Sequence, residues 1–118
     1  MKELVFKLKT NEEVIIDIKT TYFMKDDVIN FTHEDNIYRF NTSKKLLNKE
    51  NKESIMNVDM LNNKIIYVYK ELGKEFELPL DSNDLLINDN NIKYTYEIKD
   101  NDIVNIIEIS YWHDRYLW

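Results

Sequence analysis

The amino-acid sequence predicts an all-β protein, and three observations lead to that expectation. The 118-residue chain has fifteen Ile and fifteen Asn residues but only one Gly, one Pro and no Ala. Ile, Val and Tyr favour strands, whereas Ala is the residue that best favours helices. Apolar and polar residues also alternate with a period of two, as in half-buried strands. Short segments rich in Asn and Asp, which suit tight turns, separate the alternating segments.

The first half of the chain contains one clear strand and one ambiguous segment. Leu4, Phe6 and Leu8 alternate with charged residues, which predicts the first strand. Residues Thr42–Glu53 fit either a two-turn helix, capped by Thr42 or Ser43, or a strand of a further hairpin, and we favour the hairpin. The other β-rich segments of this half are Val14–Met24, Val28–Thr32, Ile37–Asn41 and Ser54–Met60.

The second half shows the most regular alternation. Asn91–Lys99 alternates at all nine positions, and Lys64–Leu72 is apolar on both faces at its middle. Because Pro lacks a backbone N–H, Pro79 should lie on a sheet edge or beside a bulge. The other strands expected here are Glu75–Leu80, Leu85–Asn88 and Asp102–Trp112, with Asp81–Asp84 as a turn between the first two.

These segments predict one domain over residues 1–118, built as an antiparallel up-and-down meander of about ten strands. Gaps of two to five residues join antiparallel neighbours, because a parallel crossover needs about a dozen residues or more. Such a sheet removes its exposed edges by curling into a closed barrel. We therefore expect a small antiparallel β-barrel.

Strands and turns in the same order carry a resemblance to a known family. Lys19–Phe23, the turn Lys25–Asp27 and the strand Val28–Phe31 open the pattern, and Leu72–Leu78 and Ile92–Tyr96 continue it. The chain resembles the YwiB-like family of small bacterial calycin-type β-barrels, whose function is uncharacterised. The resemblance covers about Leu4 to Tyr111 and implies a lipocalin-like barrel. It implies no catalytic residue.

Composition and charge limit the classes of function. Sixteen Lys and Arg against 22 Asp and Glu give a net charge of −6, which argues against binding to nucleic acid phosphates. The uninterrupted apolar stretches, such as Val14–Ile16, are too short for a membrane span or a signal peptide. We therefore expect a cytoplasmic protein without membrane association.

The sequence offers little for catalysis or metal binding. His33-Glu34-Asp35 and His113-Asp114 are the densest ligand-like groups. Adjacent residues of a strand point to opposite faces, so their spacing does not assemble a metal site. The chain has no Cys, and its single Gly cannot build a phosphate-binding loop. We expect no enzyme activity, no metal and no cofactor.

Aromatic residues are the best candidates for binding. Tyr67 and Tyr69 share one strand face, and so do Tyr94 and Tyr96, so the four could line a cavity or a surface; side chains that simply fill a small barrel are the competing interpretation. Both Trp residues lie in the C-terminal tail, residues 112–118. An apolar terminus with Trp112, Tyr116 and Trp118 should pack on its own barrel or, alternatively, on another chain.

These expectations lead to a small non-enzymatic β-barrel that binds a ligand or a partner. The candidate partners are another protein, a second copy of the chain as a homodimer, or a small apolar ligand. The alternative is a small acidic inhibitor or immunity protein, for example phage-encoded, that covers a basic site on its target. A contiguous acidic face would favour the inhibitor, whereas a deep apolar cavity would favour ligand binding.

Overall fold

The computed structural model describes residues 2–100 and 102–111, and its described secondary structure consists of strands. Eleven strands form one sheet. The first six are β1 (Glu3–Thr10), β2 (Glu13–Thr21), β3 (Phe23–Lys25), β4 (Val28–His33), β5 (Asn36–Asn41) and β6 (Leu46–Glu50). The other five are β7 (Ser54–Asp59), β8 (Lys64–Tyr69), β9 (Lys74–Asn88), β10 (Asn91–Ile98) and β11 (Val104–Tyr111). The predicted all-β class is confirmed.

The strands follow the predicted antiparallel meander, but the hydrogen-bonded sheet is open. Its order is β2-β1-β11-β10-β9-β8-β7-β6-β5-β4-β3, so β1 joins the two chain ends by pairing with β11. Only Tyr22 separates β2 from β3, and these two strands are the edges of the sheet. The backbone N–H of Tyr22 donates to the carbonyl of Lys2 at 3.1 Å instead. Barrel closure through hydrogen bonds is therefore not found in the described residues.

β9 corrects one prediction and confirms another. The predicted turn at Asp81–Asp84 is wrong, because β9 continues through it as a single strand. The first part of β9 (Lys74–Pro79) pairs with β8, and the part from Leu80 onward pairs with β10. Pro79 lies where the strand changes partner, close to a register shift opposite Glu97 and Ile98, so its predicted position at an edge or bulge is confirmed.

The ambiguous segment 42–53 forms a hairpin, as favoured above. β6 occupies its middle and pairs with β5 on one side and β7 on the other. Asn41 shapes the turn before β6, since its side-chain oxygen accepts hydrogen bonds from the backbone N–H groups of Ser43 and Lys44. This local bonding of an Asn side chain satisfies backbone donors that a helix would otherwise use.

Asn, Asp and Glu residues make several turns without glycine. Asn11 and Glu12 both have positive φ angles, of 49° and 71°, and so do Asp26 and Asp27, at 51° and 65°. Two consecutive positive φ angles are the mark of the type I′ turn, whose twist matches that of a hairpin. Asn and Asp tolerate this conformation better than other non-glycine residues, which explains how a chain with one Gly makes so many hairpins.

The core lies between two parts of the strongly curved sheet. The ring of Phe6 on β1 lies 5.1 Å from that of Phe31 on β4 and 4.9 Å from that of Tyr38 on β5. Strands near opposite ends of the sheet order therefore face each other across a layer of packed side chains. The alternation predicted for β1 and β10 is confirmed, since Leu4, Phe6, Ile92 and Tyr94 are all buried.

Two predicted strands differ from the structure in their bounds, and one of them also differs in its burial. The predicted strand Val14–Met24 is split by Tyr22 into β2 and β3, and β8 ends at Tyr69 instead of reaching Leu72. On β8, Ile65 is buried, but Ile66 and Val68 on the other face are only half-buried. The second face of β8 is therefore partly covered by neighbouring side chains. Within the described residues, no helix has the length and apolar character needed to cross a membrane.

Candidate functional site

Tyr94 and Tyr96, two of the four predicted binding tyrosines, lie in the core. Their side chains project from the same face of β10, and their exposed fractions are 0% and 6%. The two rings stack with their centroids 5.2 Å apart. This pair fills the interior, which agrees with the competing interpretation that these side chains simply pack the core.

Tyr67 and Tyr69 on β8 lead from this core to the protein surface. Tyr67 is half-buried, and Tyr69 is 45% exposed. Burial, together with a smaller contribution from the nearby phenol of Tyr67, raises the pKa of Tyr96 to about 12. Burial raises the pKa of Tyr67 as well, with a smaller contribution from Tyr69. The four tyrosines therefore form a chain of neighbours from the buried end at Tyr94 to the exposed end at Tyr69.

The hydroxyl group of Tyr94 is buried without a hydrogen-bond partner among the described residues. Burial raises the pKa of Tyr94 well above its usual value, with smaller contributions from Tyr96 and Asp59. An unpartnered buried hydroxyl costs about 1–3 kcal/mol. Since the ionised form is strongly disfavoured here, Tyr94 is not a general base at neutral pH.

Leu72 and Phe76, which the sequence did not single out, form an exposed apolar surface together with Tyr69. Tyr69, Leu72 and Phe76 are 45%, 67% and 48% exposed, and we call them the aromatic patch. The rings of Tyr69 and Phe76 meet edge to face with their centroids 5.7 Å apart. Alternation along β9 correctly assigns Phe76 to the inner face, but it does not show that this part of the face is left uncovered.

A free sheet edge adjoins the aromatic patch. The first part of β9, Lys74–Pro79, pairs with β8 on one side, and no described strand pairs with its other side. Glu71, Glu75 and Glu77 are exposed in the β8–β9 turn and on β9, with Glu75 and Glu77 on the face opposite Phe76, and we call these three residues the acidic rim. A segment bound here could contact the apolar side chains and also add hydrogen bonds to the strand edge.

The meander places three turns at this same end of the sheet. The side chain of Asn51, in the β6–β7 turn, donates to that of Asn36 at 3.1 Å, and the N–H of Lys70 donates to the carbonyl of Glu53 at 3.0 Å. These bonds hold the three turns side by side. Glu34 and Asp35 of the β4–β5 turn and Lys52 and Glu53 of the β6–β7 turn line a groove, so acidic side chains outnumber basic ones there.

Glu50 connects charged side chains on the outer face of the sheet. It accepts a hydrogen bond from Lys70 at 2.8 Å and one from Arg39 at 3.3 Å. The bonds from Lys70 and then Arg39 hold the pKa of Glu50 below its usual value. Arg39 also donates to Asn48, which donates to Asn57. These partners satisfy one another, which is typical of a structural network.

The described residues contain no group of three or more His, Cys, Asp or Glu side chains arranged to hold a metal ion. His33 lies 3.8 Å from Glu34 and has no further acidic partner in the ion pairs found. His113 and Asp114 lie outside the described residues. The tail residues Trp112, Tyr116 and Trp118 also lie outside them.

Comparisons with protein-family models, with curated proteins and with solved structures found no match for this chain. The candidate site is therefore defined by its own geometry. It consists of the aromatic patch, the free edge of β9 and the acidic rim.

Proposed function

We propose that the protein is a non-enzymatic binding protein whose partner is another protein, and that the aromatic patch is the contact surface. The observation that supports this most directly is the exposure of Tyr69, Leu72 and Phe76 in one place. Contiguous exposed apolar side chains with a polar surround are typical of protein interaction sites. Aromatic residues are also enriched where interfaces gain most of their energy.

A protein partner fits this site better than a small apolar ligand does. A small-molecule site is normally a concave cavity that covers most of the ligand. Here Phe6, Phe31 and Tyr38 pack against one another in the interior, and Tyr94 and Tyr96 stack there as well. The aromatic patch instead lies on the surface beside an unpaired strand edge, which suits an extended segment of another chain.

The test is affinity capture from the native host with three forms of the protein. The wild type is compared with the double variant Tyr69→Ser and Phe76→Ser, and with the control Leu61→Ser. Leu61 is 68% exposed and lies in the β7–β8 turn, at the opposite end of β8 from Tyr69. We expect a partner that the wild type and the control both capture and the double variant loses.

Direct binding of the purified partner then gives the size of the effect. Loss of two contact aromatics should weaken binding by about 2 kcal/mol or more, which is a factor of roughly 30 in Kd. A partner captured equally by all three forms would contradict the proposed surface. Capture of a small molecule by native mass spectrometry, in place of a protein, would contradict the proposed class of partner.

The acidic inhibitor remains a second proposal, supported by the acidic rim. Glu71, Glu75 and Glu77 are exposed on the turn and strand that carry the aromatic patch, and the neighbouring turns add further acidic residues. Such a surface suits a target with a basic site, because complementary charge speeds association and selects partners. Replacing Glu71 and Glu75 with Lys should then slow association and weaken its salt dependence. A salt-independent association rate in the wild type would argue against the inhibitor.

The family, the type of barrel and the cellular location are further parts of this proposal. Pairing between β1 and β11, which joins the two ends of the described meander, supports a calycin-type relationship with the YwiB-like family. The open boundary between β2 and β3 is the point at which a closed barrel would need further hydrogen bonds. The cytoplasmic location is part of the proposal and depends on the sequence argument alone.

A further inference from the structure

A groove lies beside the open boundary of the sheet, away from the aromatic patch. Tyr22, Phe23, Phe31, Ile37 and Arg39 contribute to its lining, and its volume is about 380 Å³. Phe23 and Ile37 are 61% and 38% exposed. Phe23 begins β3, a strand of three residues with one hydrogen-bonded neighbour, so this edge of the sheet has little protection from water. We call this feature the edge groove.

The described part of the chain ends next to the edge groove. Tyr111, its last residue, packs its ring edge to face against that of Tyr22, with the centroids 5.9 Å apart. Leu4 pairs with Tyr111 on one side and with Thr20 on the other, which places the end of β11 near the end of β2. The described chain therefore ends at the corner where the edge groove lies.

We propose that the C-terminal tail, residues 112–118, folds back into the edge groove of its own chain and covers Phe23 and Ile37. Seven residues reach at most about 25 Å when fully extended. That reach is sufficient for a groove lined by Tyr22, whose ring contacts Tyr111.

The aromatic patch is a poorer fit as the site of the tail. Tyr96, the core residue that adjoins Tyr67, pairs with Asn105, six positions before Tyr111. At roughly 3.3 Å per residue, the tail must travel about 20 Å back along β11 before it reaches that end of the sheet. The tail can reach the edge groove without running back along β11.

The chemistry of the tail matches an apolar groove. It carries Trp112, Tyr116, Leu117 and Trp118, and a docked aromatic side chain removes on the order of 150–250 Å² from water. The groove offers aromatic and aliphatic side chains at its wall and the Arg39 guanidinium nearby. Covering Phe23 would also protect the unpaired edge at β3 from association with other chains.

Tryptophan fluorescence tests this proposal directly, because both Trp residues of the chain lie at positions 112 and 118. We expect the wild type to show blue-shifted emission and weak quenching by acrylamide. The double variant Phe23→Ser and Ile37→Ser should shift emission to that of exposed Trp and increase quenching several-fold. The control Phe76→Ser, in the aromatic patch, should leave emission unchanged.

A second measurement keeps the proposal testable if the groove variant folds poorly. The chain has no Cys, so introduced cysteines form a single defined pair. Thr32 lines the edge groove, and Thr32→Cys with Arg115→Cys should form an intramolecular disulfide under mild oxidation. The control pair Asn62→Cys with Arg115→Cys, in which Asn62 is exposed in the β7–β8 turn, should not.

Three results would overturn the proposal. Emission typical of exposed Trp in the wild type would show a tail that does not dock. Buried emission that the groove variant leaves unchanged, together with no Thr32 cross-link, would place the tail elsewhere. Emission or cross-linking that depends on protein concentration would assign the groove to the tail of a second copy.

Discussion

Two pairs of tyrosines with the same local pattern have different environments. Tyr67 and Tyr69 on β8 follow Ile65 at alternate positions, as Tyr94 and Tyr96 on β10 follow Ile92. In both strands the Ile is buried, yet Tyr94 and Tyr96 are buried with it while Tyr69 is 45% exposed. Alternation therefore identifies the inner face of a strand but does not measure how far along the strand that face is covered.

The difference arises from what lies next to each strand. β10 pairs along nearly its whole length with β9 and β11, and Tyr94 lies between Leu85 and Ile107. Tyr69 instead pairs with Lys74, the last pair before the β8–β9 turn. The same residue type thus stabilises the core in one strand and forms a candidate binding surface in the other.

Replacing Tyr94 or Tyr69, the two ends of this tyrosine series, with Ala should give the largest contrast in stability. Tyr94→Ala leaves a cavity in a packed interior and should lower the free energy of unfolding by about 3–5 kcal/mol. Tyr69→Ala removes a side chain already half in water and should cost less than about 1 kcal/mol. Urea denaturation of both variants measures the difference. Equal losses would mean that Tyr69 is covered in solution.

Alkaline pH should cause a smaller change in the free energy of unfolding, through the buried Tyr96. Burial raises the pKa of Tyr96 to about 12, whereas an unfolded Tyr ionises near pH 10. The unfolded state therefore loses its proton first, so this contribution to stability is complete below pH 10 and decreases as the pH rises towards 12. The decrease is about 1.4 kcal/mol per pH unit for each such group.

Chemical denaturation between pH 9 and 12 checks this expectation. Tyr96→Phe should make the decrease less steep than in the wild type. An identical pH dependence in the wild type and Tyr96→Phe would contradict the assignment of a raised pKa to Tyr96.

Removal of a single hydroxyl should give the smallest effect. Tyr94→Phe deletes a buried hydroxyl that has no partner among the described residues, so it should raise the free energy of unfolding by about 1 kcal/mol. Tyr69→Phe, whose hydroxyl lies near water, should change it by less than about 0.5 kcal/mol. Thermal melts of both variants are sufficient. A loss of stability in Tyr94→Phe would show that its hydroxyl binds a buried water.

Some elements of the candidate site were predictable and others were not. The sequence identified Tyr67 and Tyr69 as neighbours on one face, and the structure places them at the inner face of β8. Phe76 lies in the predicted strand Glu75–Leu80 and has the same alternation as Leu78, which does pack against the core, so the pattern did not show that Phe76 is exposed. Leu72 was predicted as the last residue of the strand Lys64–Leu72, and nothing in its local pattern indicated that it lies exposed in a turn.

The sequence by itself determined the class of fold and the direction in which most strand side chains point. Period-two alternation follows from the backbone geometry of a strand, and Asn and Asp mark turns through their own backbone bonds, so both signals are local. Asp81–Asp84 shows where this local signal fails. Pairing with β10 keeps those polar residues extended, although they resemble a turn.

Only the tertiary structure decided which faces are covered and where the sheet stays open. The exposure of Tyr69 depends on where the β8–β9 turn falls relative to the core. The edge at β2 and β3 depends on β1 pairing with β11, more than ninety residues away in the chain. The physical reason is that burial and strand partners are set by contacts between distant residues, and local alternation does not encode those contacts.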